Sequence, residues 1–189
     1  MKEVSYFAPT EVGEAAKLLA EYGDKAAILA GGTDLVAQLN YYEVKPAALL
    51  YMGGLGLDYV REKGGKLVIG AGTTTAHLLA SDLVAQKFPV LAAAAATHGS
   101  PAVRTVATIG GNLGTASPAG DLIPPLMVMD ADVILASVRG ERTVPVKDFF
   151  TGPGETVRAA DELIGAIQVP LLPGQAVLEK VGRRPPQVC

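Results

Sequence analysis

The sequence predicts an α+β fold in two parts, a small β-α-β unit over residues 1–53 and a larger mixed segment over residues 54–178. Three observations lead there. Two short apolar runs, Ala26–Ala30 and Ala48–Met52, flank an amphipathic stretch, the pattern of parallel strands joined by a helical crossover. The glycine-rich "MGGLGLDYV" at Met52–Val60 breaks that pattern and marks a boundary near Gly53. Beyond it, alternating apolar and polar residues turn at Gly64-Gly65 and again at Arg139-Gly140, giving hairpin signals on either side of a helical stretch.

The first helix is expected to be capped by Thr10, with Glu11 and Glu14 at its positive end and Gly23 at its stop. Val12, Ala15, Leu18 and Leu19 give it one apolar face. Gly31–Asp34 reads as a turn into a short helix bearing Leu35, Val36 and Leu39. Thr75–Ala96 is helical in composition with an interruption at Phe88-Pro89, and the alanine run Ala92–Ala96 reads as a tightly packed buried helix. Glu162–Val169 is the final strand, ended by Pro170.

With 49% hydrophobic and 19% charged residues, the 189-residue chain has the composition of a globular protein. A net charge of −3 and a pI near 5.4 offer no basic field for nucleic acid or an anionic membrane. The longest low-charge stretch, Phe88–Pro101, is too short to span a bilayer, so no integral membrane segment is expected. The single cysteine is Cys189, so the chain forms no internal disulfide and supplies no thiolate cluster for zinc or iron–sulfur. No basic, then apolar leader is read at Met1, and a cytoplasmic, metal-free chain is the expectation.

Two stretches carry paired glycines at the point where a strand gives way to a helix: "AGGTDL" at Ala30–Leu35 and "TIGGN" at Thr108–Asn112. Glycine pairs of this kind serve either close packing or an anion, because backbone N–H groups without side chains can approach a charged oxygen. Two such stretches suit a diphosphate. Neither matches the P-loop pattern or sits in a G-x-G-x-x-G context. Asp34 would be repelled by a phosphate opposite it and is better suited to capping the short helix or accepting hydroxyl protons. From the residues alone, His98 is a buried structural histidine or a ligand contact, Asp121 a helix cap or a ligand contact, and His77 a surface helix residue. Lys180, Arg183 and Arg184 read as a solvated charge run.

Taken together, "AGGTDL", "TIGGNLGTASPAGDLIPPL" at Thr108–Leu126, "VPVKDFFTGPGET" at Val144–Thr156 and "EKVGRR" at Glu179–Arg184 resemble the FAD-binding medium subunit of molybdenum hydroxylases, the family of xanthine dehydrogenase and aerobic carbon monoxide dehydrogenase. The resemblance implies a two-subdomain FAD-binding fold of the vanillyl-alcohol-oxidase (PCMH) type. It also implies that Leu29, Ala30, Gly31, Gly32, Thr33, Asp34 and Leu35, together with Thr108, Ile109, Gly110, Gly111 and Asn112, hold the FAD pyrophosphate. By the same resemblance Asp121 contacts the cofactor, and His98, ten residues before Thr108, takes a position that in relatives touches the flavin. Ile164 and Lys180 match two further positions near it. No catalytic residue and no metal ligand is assigned.

What the resemblance implies about function is an electron-transfer flavoprotein, an FAD-dependent oxidoreductase subunit. It would receive electrons from the 2Fe-2S clusters of a small partner subunit, upstream of which a molybdenum-containing large subunit oxidises substrate, and pass them to NAD, quinone or oxygen in a hetero-oligomer. The alternatives are a free-standing FAD oxidoreductase of the same fold and a non-catalytic assembly module that keeps its glycine turns for packing. Family members continue well beyond "EKVGRR", so residues 179–189 are expected to be the start of a truncated C-terminal subdomain, with Phe149-Phe150 and the Ile164–Val169 strand left uncovered.

Overall fold

β1 (Ser5–Phe7) leads into α1 (Val12–Tyr22) in the computed structural model, which describes residues 4–171 and 176–181. The N-cap of α1 is Glu11, not Thr10, and no side chain caps it from that position. Instead the Glu14 carboxylate reaches back one turn to accept the Thr10 N–H at 3.2 Å, which satisfies a helix-start donor from the opposite direction. Gly23 ends the helix at φ 52°, its N–H donating to Leu19 O. α1 buries Ala15, Ala16 and Leu19.

β2 (Ala26–Leu29), α2 (Leu35–Asn40) and β3 (Ala48–Tyr51) form the expected parallel crossover. β3 lies in the middle of a three-stranded sheet, parallel to both β1 and β2, and so β2 is an edge strand. β1 was invisible in the sequence because "SYF" is too short to show a period-two pattern; its pairing with β3 defines it.

The larger part opens with the hairpin β4 (Val60–Lys63) and β5 (Lys66–Gly70), turning on Gly64 and Gly65 at φ 60° and 72°, the two positive values that a tight hairpin turn requires. The helical stretch is broken twice, into α3 (Thr75–Ala80), α4 (Asp82–Lys87) and α5 (Pro89–Thr97). Pro89 causes the expected break, while Ser81 causes the other by accepting the Val84 N–H at 3.3 Å and starting a new helix. In α5, Ala94 and Ala95 are buried whereas Ala93 and Ala96 are exposed, so the alanine run buries one side only.

α6 (Pro101–Arg104), α7 (Ile109–Thr115) and α8 (Ile123–Val128) precede the hairpin of β6 (Asp132–Ser137) and β7 (Gly140–Pro145). α9 (Val146–Phe149), β8 (Phe150–Gly152), β9 (Glu155–Thr156) and β10 (Leu163–Pro170) complete the order. β10 occupies the centre of an antiparallel five-stranded sheet, β4-β5-β10-β6-β7.

One apolar core joins this sheet to its helices through Leu67, Ile69, Leu78, Leu91, Leu113 and Leu126. Phe149, Ile167 and Val169 are fully buried in it, contrary to the expected uncovered surface, because α9 packs between α8 and β6 and Phe149 meets Phe150 edge-on at 5.2 Å. A second core joins α1 and β3 to Ala136 and Leu163 of the large sheet. Among the described residues no helix is long and apolar enough to cross a membrane.

Candidate functional site

The chain leaves β2 at Leu29, whose carbonyl accepts the Met52 N–H at 2.9 Å, and enters the first glycine stretch. Gly31 lies flush against the Val106 carbonyl, where a Cβ has no room, so this glycine is required by close approach of two backbones. Gly32 takes φ 74°, a left-handed conformation that lets the chain turn into α2. Through this turn the N–H groups of Gly31, Gly32, Thr33, Asp34 and Leu35 donate to no acceptor among the described residues. A run of free donors around a left-handed residue is the geometry that receives an anion. Asp34 makes no side-chain cap; its carboxylate accepts the Thr33 hydroxyl at 3.3 Å.

The second stretch is built differently. Thr108 is the N-cap of α7, its hydroxyl accepting the Gly111 N–H at 3.0 Å, and its carbonyl accepts the Asn112 N–H at 2.9 Å. The Ile109 and Gly110 N–H groups donate to Thr73 O and Ala71 O at 3.0 and 2.9 Å. The backbone donors expected of both stretches are thus free at the first, while those of Ile109–Asn112 at the second are used within the protein. Gly110 and Gly111 supply closeness instead: a Cβ on Gly110 would stand 2.7 Å from Ala71, and one on Gly111 2.9 Å from the Thr108 hydroxyl and 3.8 Å from the Ala30 side chain. The Asn112 amide N–H₂ donates to no acceptor among the described residues, while its oxygen accepts the Leu122 N–H at 3.3 Å.

The two stretches face one cavity of about 410 Å³. Ala30, Gly31, Gly32, Thr33, Asp34 and Leu35 line one side, and Thr108, Gly110, Gly111 and Asn112 the other, with His98 and Ile164 also on the wall. Leu29 and Ile109 are not on it; Ile109 points into the main core. Asp121 lines an adjoining space of about 200 Å³ together with Asp34, His98 and Asn112. Lys180 reaches this space indirectly, through an ion pair with Asp121 at 2.7 Å.

His98 ends α5 and is half-buried. Its Nδ1 is 3.1 Å from the Thr75 hydroxyl, which is itself 3.3 Å from the Ala107 carbonyl. Burial holds the imidazole pKa below its ordinary value, against the pull of the Asp121 carboxylate. The following backbone is clamped by Arg104, whose Nη1 donates to the His98 and Gly99 carbonyls at 3.2 and 3.0 Å. Lys180 donates to the Thr97 carbonyl at 3.1 Å as well as pairing with Asp121, and the two side chains are 13 and 15% exposed, so Lys180 is not part of a solvated run. Asp121 does not cap α8, whose N-cap is Leu122. Arg183 and Arg184 lie outside the described residues. His77 is half-exposed and its Nδ1 meets Asp58 at 2.6 Å.

The model of the FAD binding domain in molybdopterin dehydrogenase matches residues 2–172. The chain belongs to that family. It is 40% identical over 164 residues to the nicotinate dehydrogenase FAD-subunit of Eubacterium barkeri, a match covering 86% of this chain and 55% of the relative. It is 38% identical over 184 residues to the glyceraldehyde dehydrogenase medium chain of Sulfolobus acidocaldarius, covering 96% of this chain and 65% of that one. Among solved structures, a carbon monoxide dehydrogenase from Hydrogenophaga pseudoflava superposes with a TM-score of 0.95 at 33% identity, over 98% of this chain and 66% of the neighbour. The chain therefore spans between about half and two thirds of the length of these relatives. The FAD-binding fold implied by the motifs is the fold observed.

FAD, the family's cofactor, fits the residues present. The free N–H run at Gly31–Leu35 suits its diphosphate, and a cavity of this size lies within the roughly 300–1,000 Å³ common for ligand sites. Sequence reasoning missed several wall residues: the β2 residues Ala26–Ile28, Thr115, and Arg158. Nothing local marked them. Ala26–Ile28 read as an ordinary buried strand, and Arg158 sits in "ETVRAADEL", where it looks like one more surface charge.

Proposed function

We propose that this chain binds FAD in the cavity between its two glycine stretches and serves as the FAD-binding part of an electron-transfer subunit of a molybdenum-dependent hydroxylase or dehydrogenase. The observation that carries the reading is the run of free backbone donors at Gly31–Leu35 opening onto the shared cavity. In this reading residues 1–53 and 54–178 form the two subdomains on either side of the cofactor. The Gly31–Leu35 amides hold the diphosphate, and the bare surface of Gly110 and Gly111 lets it approach α7. His98, neutral at pH 7 because burial lowers its pKa, borders the flavin end beside Asp121, whose charge Lys180 balances. When bound, FAD supplies the electron-accepting and electron-donating group. The protein orients it, excludes water from one face and presents the surrounding dipoles.

The names of the relatives, a nicotinate dehydrogenase FAD-subunit and a glyceraldehyde dehydrogenase medium chain among them, support assembly with further subunits, which this reading takes to be a large molybdenum subunit and a small 2Fe-2S subunit. Such a hetero-oligomer would work in the cytoplasm, with NAD, quinone or oxygen taking the electrons. The test is titration of the full chain with FAD, followed by co-purification with candidate partner subunits. Saturable binding with quenched flavin fluorescence supports the reading, and absence of binding overturns it.

A further inference from the structure

Arg158 lines the same cavity as the β2 residues Ala26–Ile28, and among the described residues no carboxylate forms an ion pair with it, Glu162 and Asp24 acting on it only from a distance. Its Nη1 donates to the Ala159 and Glu162 carbonyls at 3.1 and 2.7 Å, which fixes the guanidinium in place. Nε and Nη2 have no acceptor among the described residues, and no carboxylate comes within ion-pair distance. The neighbouring Glu162 does not serve, because its carboxylate is filled by Arg142 at 2.6 and 2.8 Å and by the Ala159 N–H at 2.8 Å. A partly buried, planar guanidinium with free donors and no carboxylate in direct contact is suited to a flat, acceptor-rich ligand group.

The position along the cavity says which group. His98, Asp34 and Asn112 line both the main cavity and the adjoining space with Asp121, and so mark one end. Arg158, Leu163 and Ala26–Ile28 line the main cavity but not that space. The free amides of Gly31–Thr33 follow β2 in the chain and precede Asp34, and these three residues line the main cavity but not that space. β2 is an edge strand, and Leu29 turns its carbonyl toward β3. By the alternation of a strand, Ile28 turns its N–H and C=O the other way, to the unpaired edge. An adenine presents a donor and acceptors on its edge and a π-face to a guanidinium, and matches such a strand edge and such a cation together.

Resting on the FAD reading above, we propose that Arg158 binds the adenine of FAD at the β2 edge and so makes the site selective for the dinucleotide over its mononucleotide half. The test uses the full chain and its Arg158→Leu and Arg158→Lys variants. Binding of FAD is followed by fluorescence, with ADP and inorganic pyrophosphate as competitors, after circular dichroism and thermal melting have established which variants keep the fold. Arg158→Leu is expected to weaken FAD and ADP alike by about tenfold or more, the scale of a lost hydrogen bond to a charged group, and to leave pyrophosphate competition unchanged. Arg158→Lys, which keeps the charge without the planar fork, falls between and carries the test if the leucine variant does not fold. Unchanged FAD and ADP affinities overturn the proposal, as does an equal weakening of pyrophosphate, which would put the guanidinium on the phosphates. Failure of the unsubstituted chain to bind FAD overturns the flavin reading itself, a different result from a variant that binds as tightly as its parent.

Discussion

Gly31 and Val106 meet backbone to backbone, with the space a Cβ would need on Gly31 already taken by the Val106 carbonyl. The contact locks the first glycine stretch to the segment that leads into the second. Gly31→Ala is therefore expected to destabilise the fold by about 2 kcal/mol or more, since neither backbone can yield as a flexible side chain would. Urea unfolding, read as a shift in midpoint at unchanged slope, measures it.

Gly114 contrasts with Gly31. It lines the cavity from α7, and a Cβ there would make only an ordinary contact, 3.7 Å to the Ile164 side chain. Replacing a helix glycine by leucine should stabilise α7 by roughly 0.5–1 kcal/mol while filling part of the cavity. Gly114→Leu is expected to melt no lower than its parent and to bind FAD at least tenfold more weakly, about 1.4 kcal/mol. Parallel thermal melts and FAD titrations check both halves.

Burial lowers the His98 pKa in the folded protein, so the unfolded chain binds more protons at mildly acid pH. Stability rises with pH in that window, which runs from the depressed folded value up to the ordinary histidine value near 6.5. The contribution is fully present above that ordinary value and lost as pH falls through the folded one. His98→Gln is expected to flatten the acid side of the profile between pH 7 and about pH 5. Urea midpoints of the two proteins across that range read the difference directly.

Glu162 is 3% exposed and is held below its ordinary pKa chiefly by its hydrogen bonds from Arg142. Its contribution to stability is present above the unfolded value of 4.5 and is lost as pH falls through the lower folded one. Glu162→Gln keeps an acceptor but removes the charge, and is expected to cost about 2 kcal/mol at pH 7. The cost should shrink toward pH 3, which chemical denaturation at both pH values checks.

Asp121→Asn leaves Lys180, only 13% exposed, facing a neutral partner. A loss of about 1–2 kcal/mol is expected, less than for a fully buried pair because water still reaches both groups. Asp121→Asn combined with Lys180→Met should recover part of it, and a double-mutant cycle on thermal stability measures the coupling.

The parallel crossover, both hairpins and the final strand were legible because each has a local signature: short apolar runs beside an amphipathic stretch, or glycines where positive φ is needed. β1 was not, since three residues carry no period and only β3 makes them a strand. The Ser81 break was missed because a serine inside a helical composition is ambiguous until its hydroxyl is seen to cap the next turn. At the candidate site, the glycine stretches announced themselves but not their division of labour: the fate of the Ile109 and Gly110 N–H groups depends on the Thr73 and Ala71 carbonyls, some forty residues earlier in the chain. Arg158 was illegible because a charge reads as surface until its surroundings are known.

At its seam with the large sheet the second apolar core takes in Ala136 and Leu163, and α1 packs across that seam against β6. The three-stranded sheet on one side of that seam has a single covered strand, so it is expected to open locally before the five-stranded sheet does. Amides of β3 should then exchange with solvent deuterium sooner than those of β10, and a dinucleotide gripped from both sides of the seam would slow that exchange in β3 most. Cofactor retention would thereby set the proteolytic lifetime of the amino-terminal third of the chain.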